Sequence, residues 1–268
     1  MAGNFIPQLI QEPVDELGGA SGAKYRFQIL FQAKNDTAAY PFTVANEVVA
    51  ATVGQALGLH VPSVLTYLID GTPFVFSHLI DRRSDMAKPT PPPATSAALA
   101  AWVRANPQQV HGAVMFDLFL ANNDRAFGPD RRNLFLDAQD QLVLYDNANG
   151  CFYRNRPHAA IEAGIARLDM VEADLGAMFD MRHKKNTYFE LLDDWKWIDF
   201  WFDRISQLPD FLLEHAVSRI PSHLQRPTAA ERDRLLAFLI ARKGYMVDHI
   251  TNGRARWFPK LPARGNHA

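Results

Sequence analysis

The chain has 268 residues, 48% hydrophobic and 21% charged, with a formal net charge of -1. That suffices for one large core or two lobes, supplies no global field to recruit nucleic acid or membrane, and contains no apolar run near the roughly 20 residues of a spanning helix. The one cysteine, Cys151, excludes an internal disulfide framework and a cysteine-based zinc site and suits a reducing cytoplasm, and the start, MAGNFIPQLIQEP, lacks the basic and long apolar regions of a secretory signal.

In chain order, Phe5 to Ile10 and Tyr25 to Ala33 read as strands flanking a glycine-bearing turn, LGGASGAK at residues 17 to 24. Thr43 to Leu57 reads as a helix. Val48, Val49, Thr52, Val53, Ala56 and Leu57 recur at helical spacing, Gly58 follows, and Pro62 lies beyond. Val64 to Ile69 and Pro73 to Phe76 form a predicted hairpin around Asp70-Gly71, a strong turn signal. Strands, helix and strands on one small sheet make an α+β lobe over residues 1–80. Residues 81–97, DRRSDMAKPTPPPATSA, carry charge and then four prolines, as an exposed connector or inserted loop does. Residues 98–268 form a second, mostly helical lobe, with helical patterns at 98–105, 108–121, 167–181, 187–206, 209–218 and 228–250. A strand pair at Asn133 and Asp146 interrupts them. The basic, Gly- and Pro-rich tail NGRARWFPKLPARGNHA is expected to fray or lie on the surface.

The stretch from Phe116 to Phe152 carries the most chemistry. An apolar helix runs into Asn122-Asn123-Asp124-Arg125, Asn133 opens the strand-like LFL, and LVLY delivers Asp146. Two acids and one amide thus sit at the mouths of two adjacent strands. Phosphoryl transfer from ATP needs such a set: a carboxylate, Asp124, to orient the attacking hydroxyl, and an amide with a second carboxylate, Asn133 and Asp146, to hold Mg2+ against the phosphates. The first lobe offers a positive group. Lys34 ends the apolar strand YRFQILFQAK, and Glu47 falls early in the following helix, where it can fix the ammonium toward the phosphates. Gly18, Gly19 and Gly22, with Ser21 among them, precede it in a turn whose backbone amides can approach phosphate oxygens closely. The adenine is expected against Ser77, His78 and Leu79, after Phe76.

The order GGASG, FQAKND, VANEVVAATVGQALGLHVPSV, NNDR, NLFL and LYDNANGCF resembles the HipA-like kinase domain, a relative of the protein kinases and phosphoinositide kinases. The resemblance covers roughly residues 14 to 155; its most specific piece is the Asn46-Glu47 helix leading to GLHVP. It implies a bilobal, protein-kinase-like α+β fold, with Lys34 as the phosphate lysine and Glu47 as its partner. It likewise implies Asp124 as the catalytic carboxylate and Asn133 and Asp146 as magnesium ligands. The AFGPDRR insertion lengthens the interval from Asp124 to Asn133, making Asp130 a rival acid. Asn147-Ala148 replaces the Phe-Gly that follows the metal-binding aspartate in protein kinases.

The resulting expectation is an ATP- and magnesium-dependent phosphotransferase, cytoplasmic, acting on a hydroxyl-bearing acceptor of unspecified identity. Two other readings stand beside it: a nucleotide-binding pseudokinase without turnover, motivated by the lengthened loop, and a helical interaction module. The nine histidines show no HExxH or close ligand pair. WKWIDFWF at 195–202 could stack bases, but its place in a helical pattern with Leu191, Leu192 and Ile205 favours core packing.

Overall fold

The computed structural model describes residues 12–13, 25–26, 30–80, 97–122, 125, 133–153, 164–174, 191–258 and 260–264. The turn at Asp70-Gly71 sets the small sheet. Both residues have positive φ, 49° and 76°, the geometry whose twist matches two flanking antiparallel strands. It joins β4 (Val64–Ile69) to β5 (Thr72–His78). β3 (Phe31–Asn35) pairs with the other edge of β5, giving the order β3-β5-β4 with Lys34 opposite Val75. The strand expected over Tyr25 to Ala33 divides. β2 (Tyr25–Arg26) pairs instead with β1 (Glu12–Pro13) in a separate two-stranded ribbon. The expected strand Phe5 to Ile10 and the connector 81–96 lie outside the described residues.

Helix α1 (Thr43–Ala56) follows β3. Its first residue has no side-chain cap on the preceding position. Instead Asp36, just past β3, accepts the Val44 amide at 2.9 Å, satisfying one of the free N–H groups of the first turn. Burial pushes the Asp36 carboxyl up to about 6, against the pull of the backbone amides it accepts. Gly58, at φ 74°, ends the helix in a conformation that favours glycine. Every residue from Thr43 to Gly54 is buried, so α1 is enclosed on all sides rather than amphipathic. The sheet covers one side; α6 (Asp210–Ser218) packs against another. Arg219, after α6, donates to Thr52 Oγ1 at 3.1 Å, and Arg204 donates to the Leu57 carbonyl at 2.9 Å.

The remaining elements are α2 (Ala97–Ala105), α3 (Pro107–Phe119), β6 (Leu134–Leu136), β7 (Leu142–Leu144), α4 (Ile165–Ala173), α5 (Trp195–Ser206) and α7 (Ala229–Trp257). Proline at the first position of α3 costs nothing, because that N–H would have no intrahelical partner. α3 is buried from Val110 to Phe119 and packs against α5 and α7. The aromatic stretch is core, as its helical spacing indicates: Trp195, Ile198, Trp201 and Ile205 are buried, and the Trp201 indole N–H donates to the Gln108 carbonyl at 2.8 Å. α7 opens with a reciprocal cap between Thr228 and Glu231. The tail departs from expectation only in part, since most of its described residues are exposed. α7 continues through the NGRARW segment, and Phe258 and Leu261 are fully buried. Two apolar side chains and a bond from the Trp195 indole to the Pro262 carbonyl, at 2.9 Å, draw it onto the core. Of the helices predicted at 167–181 and 187–206, the first ends at Ala173 with Asp174 extended and the second begins at Trp195 within the described residues; residues 175–190 lie outside them.

Candidate active site

Lys34 faces α1 from the edge strand of the small sheet, and the helix brings Glu47 to it. The Lys34 Nζ lies 2.6 Å from Glu47 Oε1 and 2.9 Å from Asp146 Oδ1. Glu47 is almost wholly buried, at 3% exposure, whereas Asp146 is 35% exposed and reaches solvent. Burial acts against the ammonium, but the two carboxylates outweigh it and hold the Lys34 pKa above its ordinary value. The cation also lies 5.7 Å from the centre of the Tyr145 ring. Residues 34, 47 and 146, drawn from a strand, a helix and a loop, therefore meet at one point.

The β6–β7 hairpin supplies the rest. Leu134 pairs with Leu144, and the Tyr145 amide donates to the Asn133 carbonyl at 2.9 Å. Asn133 and Asp146 are therefore brought to the same end of the hairpin. Asp146 has φ 56°, a conformation uncommon outside glycine but tolerated by Asp and Asn, held in place by its surroundings. Those surroundings include α1. Glu47 Oε1 accepts the Asn147 amide at 3.2 Å. The Asn46 side chain donates to the Ala148 carbonyl at 2.7 Å and accepts the Phe152 amide at 3.4 Å. Glu47 thus fixes both Lys34 and the start of the loop carrying Asp146, and Asn46 fixes the residues that follow.

A second tie comes from α3. Arg125, 1% exposed, sends Nε to Asp117 Oδ2 at 2.7 Å. Its Nη1 donates to the carbonyls of Asn133 and Tyr145, each at 2.8 Å, and its Nη2 to the Asn147 side-chain oxygen. Asp117 also accepts from the Asn122 amide group at 3.2 Å. Burial pushes the Asp117 carboxyl up, against the opposing pull of Arg125. The end of α3 itself is stabilised by buried Arg242, whose guanidinium donates to the Leu118 carbonyl, a last-turn acceptor that also receives the Ala121 amide at 3.3 Å.

The remaining expected residues fall as follows. Asp124, Asp130 and the turn with Gly18, Gly19, Ser21 and Gly22 lie outside the described residues. Ser77 and His78 end β5, and Leu79 follows. The His78 and Leu79 amides already donate to Ser63 and Leu30, both at 2.9 Å. A purine edge at this segment would therefore be met by carbonyls or side chains, not by those two amides. The Ser77 hydroxyl is buried and has no hydrogen-bond partner among the described residues, an exception to the usual satisfaction of buried polar groups. Three residues on, Ile80 packs on a separate apolar group of Phe135, Val143 and Tyr145. Cys151 is inert: burial pushes its thiol up to about 12. No group of three or more His, Cys, Asp and Glu able to cage a metal occurs among the described residues, and no described helix is long and apolar enough to cross a membrane.

Sequence reasoning missed the roles of Asn46 and Asp117, whereas proximity in sequence to Asp124 had already marked Arg125, with Arg132, as a residue that could steady the loop or the transferred group. Asn46 had a signal, a polar residue beside Glu47 in an otherwise apolar helix. Asp117 had a fainter one, an acid inside VMFDLFLA.

No family model matches the chain, and no curated protein matches it in sequence. Solved structures do. A Helicobacter pylori proinflammatory kinase, CtkA, superposes with a TM-score of 0.52 at 14% identity, over 92% of this chain and 96% of that one. HipA of Shewanella oneidensis, solved with HipB and its operator DNA, gives a TM-score of 0.49 at 14% identity, over 88% of this chain and 62% of that one. The similarity to the Helicobacter kinase spans both the small sheet and the helical part, so this chain has the α+β kinase-like fold implied by its resemblance to the HipA-like domain.

Proposed function

We propose that this protein is an ATP- and magnesium-dependent phosphotransferase that moves the γ-phosphate to a hydroxyl of an acceptor, with protein serine and threonine among the candidates. The observation that carries the reading is the convergence of one ammonium, Lys34, on a buried glutamate and a partly exposed aspartate. The glutamate anchors the lysine; the aspartate marks where a metal would sit. A structural ion pair would need only one partner, and it would not need Asp146 held at positive φ.

The donor set fits magnesium. That ion takes oxygen ligands, uses one or two carboxylates, and keeps several waters; Asp146 and Asn133 supply a carboxylate and an amide at one hairpin end. Bound there, magnesium would neutralise charge on the β- and γ-phosphates. The chain's own groups do the remainder. Lys34, fixed by Glu47, donates to phosphate oxygens. Asp124 orients the acceptor hydroxyl and takes its proton. The Ser77 hydroxyl, buried without a partner among the described residues, and the apolar group of Ile80, Phe135 and Tyr145 suit a base with a polar edge and flat faces. The fold of the Helicobacter kinase is consistent with this reading.

The test is a thermal shift and calorimetric titration with magnesium and ATP, followed by an assay for ATP consumption. Ligand at about 100 times its dissociation constant should add roughly 2.7 kcal/mol to stability. Asp146→Asn, which keeps a residue tolerant of positive φ, should leave the fold intact and abolish metal-dependent turnover. Full activity in that variant removes Asp146 from the mechanism. Binding without turnover, across candidate acceptors, makes the protein a nucleotide-binding pseudokinase. No binding at all sinks both.

A further inference from the structure

We infer that Arg125 is a positioning residue: its guanidinium sets the separation between Asn133 and Asp146, and Asp117 on α3 anchors it. The inference rests on the nucleotide and magnesium reading above. Its basis is which atoms Arg125 holds. Its acceptors are the carbonyl of Asn133 itself, the carbonyl of Tyr145 immediately before Asp146, and the side chain of Asn147 immediately after. One planar group therefore touches one metal-binding candidate directly and brackets the other on both sides.

The geometry requires arginine. Nε is committed to Asp117, Nη1 to two carbonyls and Nη2 to Asn147, so the donors of one planar fork are used in three directions. A lysine ammonium could keep the charge pair with Asp117 but is a single point. It could not span both strand ends. Asp146 is meanwhile held at φ 56°, and such a conformation persists only when neighbours over-determine it. One set of neighbours is Asn46 and Glu47 on α1; the other is Arg125, tied to α3 through Asp117. The two sets can be separated experimentally. Glu47 also holds Lys34, so altering it disturbs phosphate binding as well, whereas neither Lys34 nor Glu47 bonds to Arg125 among the described residues. Changing Arg125 should therefore loosen the metal-holding pair and spare the contacts to the nucleotide.

The experiment compares wild type, Arg125→Lys and Asn147→Ala by calorimetry with a non-hydrolysable ATP analogue, across a magnesium titration and in its absence. Amide hydrogen exchange over residues 145–152 is measured on the ligand-free proteins. For groups that orient metal ligands, loss costs about 10- to 100-fold in metal affinity. Arg125→Lys should raise the magnesium needed for half-saturation by that factor, leave metal-free nucleotide affinity unchanged, and speed exchange at 145–152. Asn147→Ala removes one arm of the fork, keeps the buried ion pair, and should shift magnesium demand in the same direction by about 10-fold or less. It also serves if Arg125→Lys fails to fold. An unchanged magnesium requirement in folded variants overturns the inference, as does an equal loss of metal-free nucleotide affinity. If wild type itself binds no magnesium nucleotide, the reading beneath the inference falls with it, and that outcome is distinct from wild-type binding with unaltered variants.

Discussion

Replacing Lys34 by methionine removes the cation from between two carboxylates and keeps the apolar stem. Glu47, 3% exposed, is then left with the Asn147 amide at 3.2 Å as its remaining partner among the described residues. Stranding one member of a buried pair costs about 3–5 kcal/mol. An unfolding entropy of about 2.1 cal/mol/K per residue gives about 0.56 kcal/mol/K over 268 residues. A loss of about 4 kcal/mol therefore lowers Tm by about 7 °C. Adding Glu47→Gln neutralises the stranded charge and keeps an acceptor for Asn147, so the double variant should recover more than half of the lost Tm. It should recover none of the nucleotide affinity, since no cation returns. Thermal unfolding followed by circular dichroism, with the two single variants, closes the cycle. A Tm loss under about 2 °C for Lys34→Met, or a double variant no better than Lys34→Met alone, would refute the arrangement of a buried glutamate depending on this lysine.

Asn46→Ala deletes the bonds to Ala148 and Phe152 and takes a partner from a half-buried carbonyl and a buried amide. The expected cost is about 1–3 kcal/mol, with faster amide exchange at Phe152 as the local signature. At Gly112, a methyl group would sit 2.4 Å from the Trp201 ring. Gly112→Ala should therefore overpack the α3–α5 contact and cost about 1–3 kcal/mol, seen as a lower urea midpoint at unchanged slope. Asp36 supplies a pH test. Its folded-state pKa is raised by burial to about 6, above the ordinary 3.8, so its contribution is fully present below the unfolded value and is lost as pH rises through about 6. The Tm difference, wild type minus Asp36→Asn, should become more positive as pH falls from 7 to 4. A flat difference assigns Asp36 no such shift.

Much of this molecule was legible in one dimension. The Asp70-Gly71 turn, the apolar periodicity of α1 and α3, and Pro107 or Gly58 at helix boundaries are local signals, set by backbone sterics and side-chain spacing over a few residues. The pairing of Lys34 with Glu47, 13 residues apart, was readable because strand and helix follow each other directly. The order of charged residues likewise suggested that Asp146 would join them. Tertiary structure decided what spans long separations. Asn46 meets Ala148 across 102 residues, Arg125 meets Asn147 across 22, and the Trp195 indole meets the Pro262 carbonyl across 67. Such bonds leave no periodicity in the sequence, because one polar atom needs one acceptor, wherever along the chain folding delivers it. The tail shows the same limit: its Gly, Pro and basic residues spoke for solvent, and only the core's free surface decided that Phe258 and Leu261 would be drawn in.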